Sequence, residues 1–355
     1  MKIGLIGLPN SGKTTIFNAL TGQTAEITSY SSGKAEPNLS VVNVLDERIT
    51  KLSEMYNPKK TIYATIEFID FVGLNEGAGR EGLFSGAATA LIKNTDALCV
   101  VARNFDDALL GSPTPFQDVE KIMDELLISD LIIAEKRLEK IELAYKRGQK
   151  TATLQFEEKV IHRIIEQLNE NKPIRDLELS QDELKSIRGF QFLTLKPAMV
   201  ILNSSEDNFN NSESVLDKLS TKYKTLEFAG NFEMELNQLE EEEAIEFMKD
   251  MGIEKSAQDR LTKFAYDLLG YISFFTVGTD EVRAWTIIKG SNAVIAAGTI
   301  HSDLARGFIR AECFNYKDLI EFGSEKAIRE KGKFKLEGKE YIVNDGDILN
   351  IRFSV

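Results

Sequence analysis

Apolar positions along the 355-residue chain fall into three regimes. In the first, short apolar runs stand alone between polar stretches. Lys2-Ile3-Gly4-Leu5-Ile6-Gly7, Ala97-Leu98-Cys99-Val100-Val101 and Ala198-Met199-Val200-Ile201-Leu202 read as buried strands of a parallel sheet. Thr61 to Ile69, rich in Ile and Thr, reads as one further strand running into Asp70. In the second regime Leu127, Leu131, Ala134, Leu138, Ile141 and Tyr145 recur at alternating steps of four and three, a heptad seam. Gly148 breaks that helix, and Leu154, Ile161, Ile164 and Leu168 resume a compatible spacing, which predicts an antiparallel helical hairpin. In the third regime the chain turns to short strands, over Ser273 to Val277, Glu281 to Ile288, Ile342 to Val343 and Ile348 to Phe353. A helical stretch, Asp318 to Lys331, sits among them, and Trp285 is expected in the core they form.

These regimes predict an α/β protein in three parts. Residues 1–118 plus 195–272 form a mainly parallel sheet with helices on both faces, 119–194 a helical coiled-coil insertion, and 273–355 a β-grasp module. Between the sheet and the last module, Asn231 to Phe247 carries seven acids and no base, which reads as a solvated, helix-starting segment. Charges on the hairpin such as Glu135, Lys136, Arg137, Glu139 and Lys140 read as a solvated face.

Composition narrows the possibilities. With 43% hydrophobic and 28% charged residues the chain can bury real cores. A formal charge of -13 argues against a protein coated in nucleic acid by bulk electrostatics, although a local basic face remains compatible with RNA. Neither a membrane span nor a DNA partner is expected, and the N-terminal apolar run reads as a strand and not a signal peptide. Cys99 and Cys313 are too far apart for a disulfide framework or metal cluster and read as buried strand residues of a cytoplasmic protein. His162 reads as a surface or packing residue. His301, beside Arg306 and Arg310, reads as a structural loop histidine or as part of an RNA- or protein-facing patch.

The strongest chemical signal follows the first strand. Gly7-Leu8-Pro9-Asn10-Ser11-Gly12-Lys13-Thr14 is a complete phosphate-binding loop pattern between a strand and a helix. Its glycines let successive N–H groups turn toward phosphate oxygens, and Lys13 brings a positive charge to the β- and γ-phosphates. Thr14 offers a hydroxyl to Mg²⁺, and the helix that follows, through Thr15, aims its positive end at the same anion. Asp70-Phe71-Val72-Gly73, at the end of the second strand, suits Mg²⁺ binding and γ-phosphate sensing. Asn203-Ser204-Ser205-Glu206 lies where guanine-specific proteins carry Asn-Lys-x-Asp, with Ser204 in place of lysine and Glu206 one methylene longer than aspartate. Both changes weaken guanine specificity.

With these residues in view the sequence resembles the Obg-like ATPases, the YchF-type branch of translation-factor-related P-loop NTPases. Glu36-Pro37-Asn38, Asp70 through Leu74 with Gly77-Ala78, and Glu281-Val282-Arg283-Ala284-Trp285 add to the resemblance. So do Gly307-Phe308-Ile309-Arg310-Ala311-Glu312 and Asp345-Gly346-Asp347, so that it covers nearly the whole chain. The resemblance implies a G-domain-like nucleotide fold, a C-terminal TGS module of β-grasp type, and ATP-preferring hydrolysis linked to ribosomes, translation and stress. ATP or GTP, a ribosome or ribosomal subunit, and Mg²⁺ are the implied partners and cofactor. Lys13, Asp70, Gly73 and Leu74 are the implied catalytic set. Asn10 to Thr15 with Asn203, Ser204 and Glu206 are the implied nucleotide contacts, and Thr14 and Asp70 the metal ligands.

Three departures bear on turnover. Lys34 stands where relatives place a threonine ligand; Thr28, Ser29, Ser31 and Ser32 are out of register. The only histidines are His162 and His301, and the segment Asp106 to Pro115 has none. Phe84-Ser85-Gly86-Ala87-Ala88 replaces a more polar stretch. Leu74, where many GTPases carry a water-orienting glutamine, cannot hydrogen-bond, so the attacking water needs another loop, a monovalent cation or a partner in trans. Asn10 either ligates K⁺ for this purpose or braces the loop. Two functions follow from the residues: a slow, partner-stimulated NTPase switch, or a nucleotide-binding scaffold with negligible hydrolysis. A small-molecule kinase is disfavoured because no acceptor pocket or lid is evident.

Overall fold

The computed structural model describes residues 1–23, 37–71, 84 and 86–354. Lys34, Gly73, Leu74 and the Gly77-Ala78 pair lie outside them. The strands, in chain order, are β1 (Lys2–Ile6), β2 (Asn38–Asn43), β3 (Lys60–Ile62), β4 (Thr65–Asp70), β5 (Ala97–Asn104) and β6 (Ala198–Ser204). They continue with β7 (Lys224–Phe228), β8 (Tyr271–Thr276), β9 (Glu281–Ile288), β10 (Phe308–Asn315), β11 (Lys335–Glu337) and β12 (Asp347–Phe353). The chain divides into two compact units, one of residues 1–41 and 67–258, the other of 42–66 and 259–355.

The first unit is built on a sheet of order β2-β4-β1-β5-β6-β7. β1 pairs in parallel with β4 on one side and β5 on the other, and β5, β6 and β7 continue in parallel. Every residue of β5 and β6 is buried, as expected for strands covered on both faces. The fold is that of a P-loop NTPase. The parallel register has a direct consequence for chemistry, because it delivers the loop after β1, Asp70 at the end of β4 and Asn203 at the end of β6 to one edge of the sheet.

The hairpin grows from this unit without a joint. One helix runs Pro115–Lys146, 32 residues and about 48 Å at 1.5 Å per residue. Its first half places Val119, Ile122, Met123 and Leu126 in the core beneath β5 and β6. Farther along, it packs Leu127 and Ala134 with Val160, Ile161, Ile164 and Leu168 of the returning helix Ala152–Asn169. The heptad reading thus holds, with Ile141 also buried. Arg137 departs from the solvated-face reading: its guanidinium forks onto Glu157 at 2.6 and 2.7 Å, clamping the two helices. His162 is exposed. The acidic segment spans two helices, Gly230–Leu236 and Glu241–Asp250, the second with Glu241, Glu242 and Glu243 in its first turn, where the helix dipole favours them.

The second unit holds a sheet of order β11-β10-β12-β8-β9-β3. β8 and β9 form an antiparallel hairpin, β12 lies parallel to β8, and β10 runs antiparallel to both β12 and β11. The helix Ala293–Ile300 lays Ala293, Ala296 and Ala297 on one face, and these short side chains let it approach Phe274, Ile287 and Leu349 closely. Trp285 stacks on Phe274 in the same layer with Arg283 over its ring. Both cysteines are free and buried. His301 caps a short helix, its Nδ1 accepting from Asp303 N at 3.2 Å.

Three elements differ from the sequence reading. Thr61 to Ile69 is not one strand: β3 joins the second sheet beside β9 and β4 the first beside β1. Residues 42–66 accordingly pack with the C-terminal unit, as do 259–272, both of which the sequence reading assigned to the nucleotide domain. Local side-chain pattern cannot reveal this, because both halves of the run look like strand and only their partners differ. Asp318 to Lys331 divides at Gly323 into the helices Tyr316–Phe322 and Glu325–Glu330, and Ile342 makes only an isolated bridge to Asn292. Among the described residues no helix is long and apolar enough to cross a membrane.

Asp130 fixes where the hairpin returns to the sheet. It is fully buried and accepts from Leu193 N at 2.8 Å, Thr194 N at 2.7 Å and Thr194 Oγ1 at 2.7 Å. Burial raises its pKa, and those three bonds and Lys93 oppose the rise. Asp130→Ala strands two buried backbone N–H groups at about 1–3 kcal/mol each. Urea unfolding is expected to show a loss of about 2–4 kcal/mol, and Asp130→Asn, which keeps one acceptor oxygen, a smaller one.

Candidate nucleotide site

The loop after β1 takes a path that few residues allow. Asn10 (φ 58°) and Gly12 (φ 82°) are both left-handed. Ser11 N bonds Leu8 O at 3.2 Å, and Ile16 N bonds Gly12 O at 2.9 Å, opening the helix Lys13–Thr21. That helix has no acidic residue in its first turn and no side-chain cap, so its positive end is uncompensated and presents N–H groups to an anion. Ser11, Lys13 and Thr15 are buried against the sheet.

Lys13 is the centre of charge. Its Nζ donates to Gly7 O and Leu8 O, each at 2.9 Å, holding the ammonium inside the loop it will serve. Burial pushes its pKa down to about 8, and the nearby Asp70 carboxylate works in the opposite direction. Thr14 Oγ1 donates to Asp70 Oδ2 at 2.8 Å, and Asn38 Nδ2 donates to the same oxygen at 3.2 Å. Asp70 is fully buried, and among the described residues its Oδ1 has no hydrogen-bond partner. A buried carboxylate oxygen without a donor is costly, and a cation beside the Thr14 hydroxyl would satisfy it. The residues therefore fit a Mg²⁺ ion. Among the described residues no group of three or more His, Cys, Asp and Glu could hold a metal.

At the far end of the site Asn203 and Ser204 part company. Asn203 Nδ2 donates to Ser11 O at 3.0 Å, and its Oδ1 accepts from Gly230 N at 3.2 Å, so it ties the phosphate loop to the segment after β7. Ser204, the next residue along the strand, projects to the opposite face. Its hydroxyl donates to Glu227 Oε1 at 2.6 Å and accepts from Asn104 Nδ2 at 2.8 Å, and Asn104 also reaches Ser212 Oγ at 2.7 Å. Ser204 thus braces the turn that follows. Glu206 is exposed in that turn. Asn10 makes no side-chain hydrogen bond among the described residues. The segment Asp106 to Pro115 is a compact turn: Arg103 donates to Phe105 O and Gly111 O, both at 2.7 Å, and Asp107 caps Leu109 N and Leu110 N.

Sequence reading missed Asn38, Asn104 and Glu227. Asn38 had a signal in the Glu-Pro-Asn string; the other two join the site only through cross-strand neighbours.

A strand–loop–helix with a buried lysine, a hydroxyl–carboxylate pair 56 positions apart in sequence and a bridging asparagine on β6 defines a P-loop NTPase of the G-domain class. Consistent with this, a family model described as 50S ribosome-binding GTPase matches residues 2–138. The model of the YchF GTPase C-terminal region, described as a protein of unknown function, matches 271–354. The ribosome-binding ATPase YchF of Haemophilus ducreyi is 39% identical over 363 residues, covering 100% of this chain and 99% of that one. Its namesake in Bacillus subtilis is 38% identical over 363 residues, covering 99% of each. The structure of the Schizosaccharomyces pombe YchF GTPase matches with a TM-score of 0.84 at 34% identity, covering 99% of this chain and 97% of that one. The chain belongs to the YchF family.

Gly12 is where the site tolerates least. A Cβ there would lie 2.1 Å from Asn203 Nδ2 at a φ of +82°, whereas one on Gly22, at +63°, would meet nothing within 4 Å. Both alanine substitutions incur left-handed strain of about 1–2 kcal/mol. Gly12→Ala is expected to lose clearly more stability than Gly22→Ala in parallel thermal melts, the excess reporting the broken Asn203–Ser11 tie.

Proposed function

We propose that this chain hydrolyses ATP in preference to GTP and uses its nucleotide state to govern attachment to the ribosome. The observation that carries the reading is the buried Lys13 beside a Thr14–Asp70 pair whose second carboxylate oxygen lacks a partner among the described residues. In this reading Asn10, Ser11, Gly12, Thr14 and Thr15 surround the phosphates, and the Lys13 ammonium leaves the Gly7 and Leu8 carbonyls to neutralise charge on the β- and γ-oxygens. Mg²⁺, held by Thr14 and Asp70, would screen the same oxygens when bound. Asn203 keeps the loop and the base end in register, with Glu206 at the rim. Ser204 and Glu206 in place of lysine and aspartate, together with relatives named as ATPases, support adenine over guanine.

Leu74 cannot orient water, so basal turnover is slow and a partner speeds it; Asn10 is the candidate K⁺ ligand. Gly73 and Leu74 stand in the catalytic segment on the strength of the sequence alone. The relatives named ribosome-binding support a ribosomal partner and a cytoplasmic role in translation. The β8–β9 hairpin, the crossing helix and β12 parallel to β8 support a β-grasp module of TGS type in the second unit. The alternative, a nucleotide-binding scaffold, is favoured by Lys34 and by the lack of a histidine in Asp106 to Pro115.

Calorimetry with Mg²⁺ tests the substrate. ATP is expected to bind about tenfold more tightly than GTP, roughly 1.4 kcal/mol. Lys13→Ala should abolish both, and chelating Mg²⁺ should weaken both. Tighter GTP binding would overturn the adenine assignment. Single-turnover cleavage should accelerate when ribosomes are added; cleavage at the enzyme-free rate in both conditions would favour the scaffold.

A further inference from the structure

We infer that Asn38 is a positioning residue for the metal-facing carboxylate, a role that rests on the nucleotide-site reading above and deepens it. Asn38 opens β2, and Asp70 closes β4, the neighbouring strand in the sheet. Two donors, Thr14 Oγ1 at 2.8 Å and Asn38 Nδ2 at 3.2 Å, converge on one oxygen of Asp70, while the other is buried without a partner among the described residues. That asymmetry is the informative feature. A fully buried carboxylate would ordinarily spread its donors over both oxygens, since leaving one unsatisfied is unfavourable. Here the two bonds fix the carboxylate's rotation and reserve Oδ1 for a cation.

The two donors are not equivalent. Thr14 follows Lys13 on the phosphate loop and belongs to the ligand set itself. Asn38 comes from a different strand, is half-buried, and reaches the site only through Asp70. Without it a single hydrogen bond would hold the carboxylate, which could then rotate and exchange Oδ1 for Oδ2. A carboxamide is well suited to this position because it donates without adding charge, so Asp70 keeps its full negative charge for the metal. Donors that orient metal-binding carboxylates are worth about 10–100-fold in metal affinity, so the effect is large enough to read directly.

The test uses the full chain and a fluorescent ATP analogue, titrated with Mg²⁺ and, separately, in excess EDTA. For Asn38→Ala the Mg²⁺ concentration at half-maximal nucleotide binding should rise about tenfold or more, while affinity in EDTA stays at the wild-type value. Asn38→Ser, which retains a shorter donor, should recover part of the shift. A Mg²⁺ midpoint within twofold of wild type for Asn38→Ala would overturn the inference. An equal loss of affinity with and without Mg²⁺ would do the same, because it would mark Asn38 as a general support of the loop. Wild type that binds no nucleotide under either condition would instead sink the functional reading itself, an outcome distinct from failure of the variant alone.

Discussion

The hydrogen bond from Thr14 Oγ1 to Asp70 Oδ2 joins the phosphate loop to the far end of β4, and much of the first unit exists to make it possible. Its two residues meet because β1 and β4 run in parallel with Leu5 opposite Asp70. A shift of one residue would turn the carboxylate to the other face of the sheet. Burial then gives the contact its chemical force. Burying a carboxylate is costly unless donors and a cation stand near it, and Thr14, Asn38 and Lys13 supply them.

The same parallel sheet organises the base end. Asn203 reaches the phosphate loop from β6 and the segment after β7 with one side chain, so displacement of either is felt by the other. On the opposite face of that strand Ser204, Glu227, Asn104 and Ser212 form a buried polar network beneath the turn bearing Glu206. A motif lysine replaced by serine is therefore more than a lost contact. The side chain has been drawn into the support of the turn, which makes the base end a product of strand packing as much as of the motif.

The helix Pro115–Lys146 extends this architecture outward. It passes from the sheet core into the hairpin core without a break, so the two share one rigid element, and Asp130 anchors the returning chain at the point where they meet. In the second unit the segment 42–66 gives the sheet its edge strand and a helix whose Arg48 is gripped by Asp46 and Asp345 over the Phe275 ring. That segment leaves the first unit at β2 and re-enters it at β4, the two strands that bear Asn38 and Asp70.

The sequence by itself determined the P-loop class, the central strands, the heptad hairpin and the choice of Thr14 and Asp70 as site residues. Each of these is written in local order: a motif of fixed spacing, an unbroken apolar run, a repeat of seven. Tertiary structure alone decided that Thr61 to Ile69 serves two sheets, that Arg137 clamps the hairpin, that Ser204 turns away from Asn203, and that Asn38 bonds Asp70. Every one of these depends on which residue lies across a strand or helix boundary, between positions as many as 221 apart in the case of Thr61 and Val282. Side-chain period reports which face a residue occupies; the partner on that face is chosen by strand order and register, which are properties of the whole chain.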